Sequence, residues 1–293
     1  MMLASESAFA VFRALSKCCQ EVEPEGKWQW RCALLNGARL SVSTTLCEGF
    51  LGLECDSETA VGSPAVVARA ISANAFLRNG VKLVLDAASR RLHLHCDIAV
   101  IDESQLLARL EWALGGFHHG VGLLSSLHAE IAPAPEPAEA ATCGCLDLQE
   151  LMCDSSWQFT ERGPGKFAVE LESDSAPPAL VCVDERGISA SVELVRCSRG
   201  DEVIADALAF YLLTFTGATR LVGATRYCGD QEIFALRAGL PDLPAAEELA
   251  HALAALSFAH RACTHEANVL LNEGAARCYL AARDSTINHQ ANQ

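Results

Sequence analysis

The stretch GKWQW at 26–30 returns as GKFAV at 165–169, 139 residues further on. LARLEWAL at 107–114 returns as LAHALAAL at 249–256, 142 residues on. Between them, ARAISANAFLRNG (68–80) is echoed by ADALAFYLLTFTG (205–217), where Ala68, Ala70 and Gly80 recur as Ala205, Ala207 and Gly217, and Ile71 is answered by Leu208. The drift in offset is what loop insertions produce. Each copy reads helix, three strands, helix, two strands, helix. A chain of 293 residues has room for two such units. This duplication constrains the fold most: each unit is α+β, with helices on an antiparallel sheet.

Local signals place the elements. The first 20 residues carry Ala8, Val11, Phe12, Leu15, Cys18 and Cys19 at helical spacing, and EVEPEG (21–26) ends that helix. Strand-like runs flank Asn36-Gly37, a pair that tolerates the positive φ of a hairpin turn. Ser63 and Pro64 suit the start of the second helix, and Gly80 suits a left-handed cap at its end. In RLHLHCDI (91–98), Leu92, Leu94, Cys96 and Ile98 alternate with Arg91, His93, His95 and Asp97. That pattern predicts a hairpin with one buried face and one solvated face.

The stretch APAPEPAEAATCGC (132–145), rich in Pro, Ala and Glu, reads as a linker. The expected division is unit 1 over 1–130, the linker over 131–145, unit 2 over 146–275, and a tail over 276–293 whose end (284–293) has no regular structure.

The helix at 202–216 is apolar on two faces. Ile204, Leu208, Tyr211, Leu212 and Phe215 form one stripe, and Val203, Ala207, Phe210 and Leu213 form much of another. A helix on one sheet with its back to water has a single stripe. The second cover is assigned to the equivalent helix of unit 1, which makes the chain an intramolecular pseudo-dimer and a monomer as a whole. Ala70, Ile71, Leu77, Leu208, Tyr211 and Phe215 are expected at the contact.

The formal net charge of −15 argues against duplex nucleic acid and anionic membranes as partners, since phosphate binding needs clustered Lys and Arg. The N-terminus lacks a basic region before its apolar run, and the longest nearly uncharged stretch, 207–218, is too short to span a bilayer. The chain is expected in the cytoplasm, with its 14 cysteines as reduced thiols.

No motif for chemistry emerges. His93 and His95 share a strand face, but Arg91 and Asp97 beside them point to solvation rather than a metal. His118 and His119 are adjacent on a helix and diverge. Cys143 and Cys145 have no second pair at zinc spacing. ERGPGK (161–166) precedes a strand, which is not a phosphate loop. No catalytic residue, metal or cofactor is expected.

The order α-β-β-β-α-β-β-α, the acidity and the run ARAISANAFLRNGVKLVLDAASRRLHLHCDIAVIDESQLLARLEWAL (68–114) resemble the class I type III secretion chaperones. These are small acidic bacterial proteins that dimerise through their second helix and an adjoining strand. The run has a late Asn74 in its helix, a hairpin whose first strand ends in Asp86, and an amphipathic helix after an acidic connection. Family members are usually one such unit; this chain has two. The resemblance implies non-catalytic binding of an extended polypeptide, a secreted effector or secretion component, by apolar grooves and strand addition at a sheet edge. It places candidate partner-binding residues on the first helix and strands: Phe9, Phe12, Trp28, Trp30, Leu40, Val42 and Phe50, with Phe167 and Val169 in unit 2. The competing expectation is a regulator or scaffold that reuses the fold without a role in secretion.

Overall fold

The computed structural model describes residues 2–26, 28–34, 38–45, 50–60, 64–99, 103–127, 145–171, 176–184, 187–242 and 244–290. The Asn36-Gly37 turn, the Ser63 cap, Cys143 and the linker before residue 145 lie outside these residues.

Unit 1 runs α1 (Met2–Cys18), β1 (Glu21–Gly26), β2 (Gln29–Ala33), β3 (Arg39–Thr45), β4 (Phe50–Ala60), α2 (Pro64–Ala73), β5 (Lys82–Leu85) and β6 (Arg91–Ala99). One turn of 3-10 helix (Glu103–Gln105) then leads into α3 (Leu106–Ser126). Unit 2 runs α4 (Cys145–Asp154), β7 (Phe159–Gly163), β8 (Lys166–Val169), β9 (Ala179–Asp184), β10 (Gly187–Ser198), α5 (Glu202–Gly217), β11 (Val222–Cys228), β12 (Gln231–Leu240) and α6 (Ala246–Leu270). A further helix, α7 (Glu273–Gln290), follows.

The fold is α+β, with two six-stranded antiparallel sheets of matching order: β1-β2-β3-β4-β6-β5 and β7-β8-β9-β10-β12-β11. Each unit has one strand more than expected. EVEPEG does not simply end α1. It forms β1, antiparallel to β2 with Val22 opposite Cys32 and a bulge between Pro24 and Gly26. β7 repeats the arrangement with a bulge between Glu161 and Gly163. Both are outermost strands.

The cores follow the alternation. Trp30 and Cys32 of β2, Leu40 and Val42 of β3, and Leu51 and Leu53 of β4 are buried on one face. In unit 2, Phe167 and Val169 of β8, Val181 of β9 and Ala190 and Val192 of β10 do the same. Each large side chain so buried contributes about 1.5–3 kcal/mol.

The units meet as an intramolecular pseudo-dimer. α2 packs on α5, and each of these helices also rests on the other unit's inner edge strand, α5 on β5 and α2 on β11. α5 is apolar all round because it is enclosed by α2, β5, β11, α6 and α7. The segment expected to lack structure at the C-terminus belongs to α7 as far as Gln290. α7 lies against α5 and α6, with Ala276 fully buried.

The seam also corrects the internal alignment. α2 stops at Ala73, so Gly80 does not cap it. Gly80 instead has φ +69, and its counterpart is Leu221, a non-glycine residue at φ +61. In the hairpins that follow, Lys82 pairs with His95 as Gly223 pairs with Arg237. Lys82 therefore matches Gly223, Leu83 matches Ala224, and Asp97 matches Gly239. Gly217, which echoes Gly80 in sequence, ends α5 itself.

Candidate partner-binding surface

Helix α1 turns Val11, Ala14 and Leu15 into the core of unit 1 and packs on α3. That leaves its other side open. Phe9 is 61% exposed and Phe12 36%. The Arg13 guanidinium lies 6.0 Å from the centre of the Phe9 ring. Beside them a groove of about 480 Å³ runs between Phe9, Arg13 and Lys17 of α1 and Ser104, Leu106 and Leu107 at the head of α3. An exposed aromatic ring at the mouth of a concave surface is what a partner's apolar side chains can cover. Arg13 and Lys17 give this groove positive charge on a chain whose net charge is −15. At the end of α1 the Cys18 thiol is pushed up to about 11 by burial, with the Glu111 charge adding to it.

A second groove, of about 500 Å³, lies in unit 2 between Trp157 and Gln158, Glu170 and Leu171, and Ala250, His251 and Ala254 of α6. Phe258 continues the outer face of α6 and is 59% exposed.

Of the residues expected to bind a partner, Phe9 and Phe12 are on the surface and Trp28 is half-buried. Trp30, Leu40, Val42, Phe167 and Val169 are buried in the sheet cores. Trp28 and Trp30 thus differ: Trp30 points inward, and Trp28 precedes β2 in a turn. Phe50, at the start of β4, faces the other unit. Its ring lies 6.2 Å from that of His251 and 5.0 Å below the Arg220 guanidinium.

The seam residues are also placed. Ala70, Ile71, Leu77 and Leu208 are buried. The Leu77 carbonyl accepts from Arg237 Nη1 at 3.0 Å across the seam, while a Cβ on Gly120 of α3 would meet the Leu77 side chain at 3.3 Å. Tyr211 stacks on Phe215 at 6.0 Å and meets Tyr279 of α7 edge-on at 6.4 Å, so it faces α7. The stripe turned to unit 1 includes Phe210, whose ring lies 5.9 Å from the Arg90 guanidinium, and Gly217, beside Val84. The choice between two apolar stripes required knowing that α7 exists.

Lys82 and Asp97 on the polar face of the β5–β6 hairpin are covered by unit 2, while Arg91 at the other end of β6 stays exposed. Lys82 Nζ donates to the carbonyls of Thr216 (2.9 Å) in the last turn of α5, Thr219 (2.5 Å) just after it and Val222 (3.1 Å) at the start of β11. Those three bonds use all the donors of an ammonium, and the Thr216 carbonyl is at the helix end where partial negative charge collects. Asp97 Oδ2 lies 3.6 Å from Lys82 Nζ and 3.2 Å from His95 Nε2, and it accepts from the Leu221 N–H at 3.1 Å. Burial pushes the Asp97 carboxyl up, but the His95 hydrogen bond, the Lys82 and His95 charges and the Leu221 amide outweigh it and bring it to about 2. Burial pushes Lys82 down, against the pull of Asp97. His93 Nδ1 sits 3.4 Å from Glu54 Oε1, so the two imidazoles engage different carboxylates. Among the described residues no group of three or more His, Cys, Asp or Glu is arranged to hold a metal ion. No helix among them is long and apolar enough to cross a membrane.

No protein-family model and no curated protein matches the chain. One solved structure, of the HopA1-SchA chaperone-effector complex, contains a chain that is similar at 19% identity and a TM-score of 0.31. The match covers 41% of this chain and 97% of that one.

Proposed function

We propose that this chain is a non-catalytic, cytoplasmic polypeptide-binding protein of the type III secretion chaperone kind, from a bacterium, and that it holds an extended segment of a secretion substrate on the outer side of unit 1. The observation that carries the reading is the exposed Phe9 ring lining the α1/α3 groove, with Phe12 exposed on the same helix. Bound apolar side chains would cover surface that α1 cannot bury internally. Aromatic anchors in such positions dominate many interfaces. The outer edges β1 and β7 remain open to added backbone hydrogen bonds, although Pro24 removes one donor from β1.

The test is affinity purification from the native host at mild salt, with Phe9→Asp and Phe12→Asp variants beside the wild type. The wild type should carry a polypeptide at near-stoichiometric amount. Each variant should lose it, and the thermal unfolding of Phe9→Asp should be unchanged, because that ring largely faces water. Recovery of the wild type without a stably bound polypeptide, or equal recovery of it with the variants, would sink the proposal.

A further inference from the structure

Where the two units meet, matched residues face each other. A Cβ built on Gly223 would lie 3.0 Å from Lys82 Cβ, and Lys82 is the residue that Gly223 matches. One Asn74 side chain donates to the carbonyls of Leu83 (3.0 Å) and Ala224 (2.8 Å), a second matched pair. Asp97 accepts the Leu221 N–H, and its match Gly239 lies against Gly80, the match of Leu221. These contacts mark a pseudo-twofold axis, and the side chains across it differ in kind.

We propose that the Lys82–Gly223 and Asp97–Leu221 contacts make this seam heterotypic, so that unit 1 accepts unit 2 and neither unit pairs with a copy of itself. Consider first a symmetric pair of unit 1. Each contact of a twofold interface occurs twice, with the same residue on both sides. Lys82 would meet a second Lys82 where glycine now stands. Two side chains would compete for a space that already holds a single Cβ at contact distance, and two buried ammonium groups would repel. A symmetric pair of unit 2 fails for the opposite reason. Gly223 would face Gly223, and the carbonyls of Thr216, Thr219 and Val222 would lose the ammonium that links them. The Leu221 amide would face Gly239, which has no carboxylate to offer. Buried polar groups without partners are costly. Only the mixed pair supplies one cation, one carboxylate and the space for both. Specificity arises from what the like pairs lack or repel as much as from what the mixed pair gains.

The test uses the full chain, folded and then cut at a protease site introduced between residues 130 and 144. Cut samples grown with light and heavy nitrogen are mixed, unfolded in urea, refolded together and weighed by native mass spectrometry. The expected result is pairs of unit 1 with unit 2, in light, heavy and hybrid forms. Pairs of unit 1 with unit 1 or of unit 2 with unit 2 at their statistical share would overturn the proposal, as would recovery of unpaired halves alone. A cut Gly223→Lys variant, which recreates the unit 1 pairing at the axis, should hold its halves together about a hundredfold more weakly. Unaltered association in that variant would also overturn it.

Discussion

The Arg109 guanidinium grips the Glu248 carboxylate through two hydrogen bonds of 2.7 Å, Nε to Oε1 and Nη2 to Oε2, and so ties α3 to α6. Both side chains are largely buried. Glu248 Oε2 also accepts the Ala245 N–H at 2.8 Å, which satisfies a free donor at the start of α6. Arg109→Ala should therefore cost about 3 kcal/mol in urea unfolding, because it strands a buried carboxylate. Glu248→Ala should cost at least as much. The double variant Arg109→Ala with Glu248→Ala should cost less than the two single changes added together, because neither charge is then left alone.

Asn74 makes three hydrogen bonds with one buried side chain. Its amide nitrogen donates to Leu83 and Ala224, and its oxygen accepts the Leu83 N–H at 2.6 Å. Asn74→Ala should lower stability by about 2 kcal/mol. Asn74→Asp should be worse, because it sets a carboxylate against two carbonyl oxygens. Chemical denaturation of the two variants side by side gives the order.

Acid should loosen the seam in a defined window. The Asp97 carboxyl is held at about 2 in the folded protein, below its unfolded value of about 3.9. The unfolded chain therefore binds the proton more readily, and stability falls as pH drops. The contribution of Asp97 is fully present above about pH 4 and is lost as pH falls toward 2. Asp97→Asn should flatten this part of the stability–pH curve relative to the wild type.

Gly239 is held against backbone. A Cβ there would lie 2.7 Å from the Gly80 nitrogen and 2.8 Å from the Gly80 Cα. Neither atom can swing aside as a side-chain tip would. Gly239→Ala should destabilise the folded protein by about 1–3 kcal/mol, the range for overpacking a tight site. Gly122→Ala is the control, since nothing lies within 4 Å of its added carbon. It should be neutral or slightly stabilising through helix propensity.

The duplication was legible because hydrophobic periodicity and turn residues repeat with the fold. The doubly apolar α5 was legible too, since a helix wrapped on all sides has no use for a polar face. β1 was not legible. Glu21, Glu23, Pro24 and Glu25 leave Val22 as its lone apolar residue, and its partner β2 is what makes it a strand. The alternation of His93, His95 and Asp97 marks a polar strand face, yet Asp97 on it is buried against unit 2 rather than wet. A linear pattern records polarity, and polarity is the same whether water or another unit supplies the partner. The Gly80–Gly217 echo misled because a shared letter is not a shared backbone: the left-handed position is kept by Leu221. Resemblance offers Trp30, Leu40 and Val42 as partner-groove candidates and the structure buries them in the core of unit 1, because alternation fixes which strand positions share a face, not which face is covered.

Two open sheets have four edges, and this molecule treats them in two ways. The inner edges, β5 and β11, are closed by the helices of the opposite unit. The outer edges, β1 and β7, are short and bulged, and β1 carries a proline and several charges. Lateral stacking of strands from one molecule onto the next is the first step toward fibrils. Here it meets a closed seam on one side and an irregular, charged border on the other. Of the four edges, the two outer ones are therefore where a further strand can add, and on β1 it must do so across a bulge and a proline.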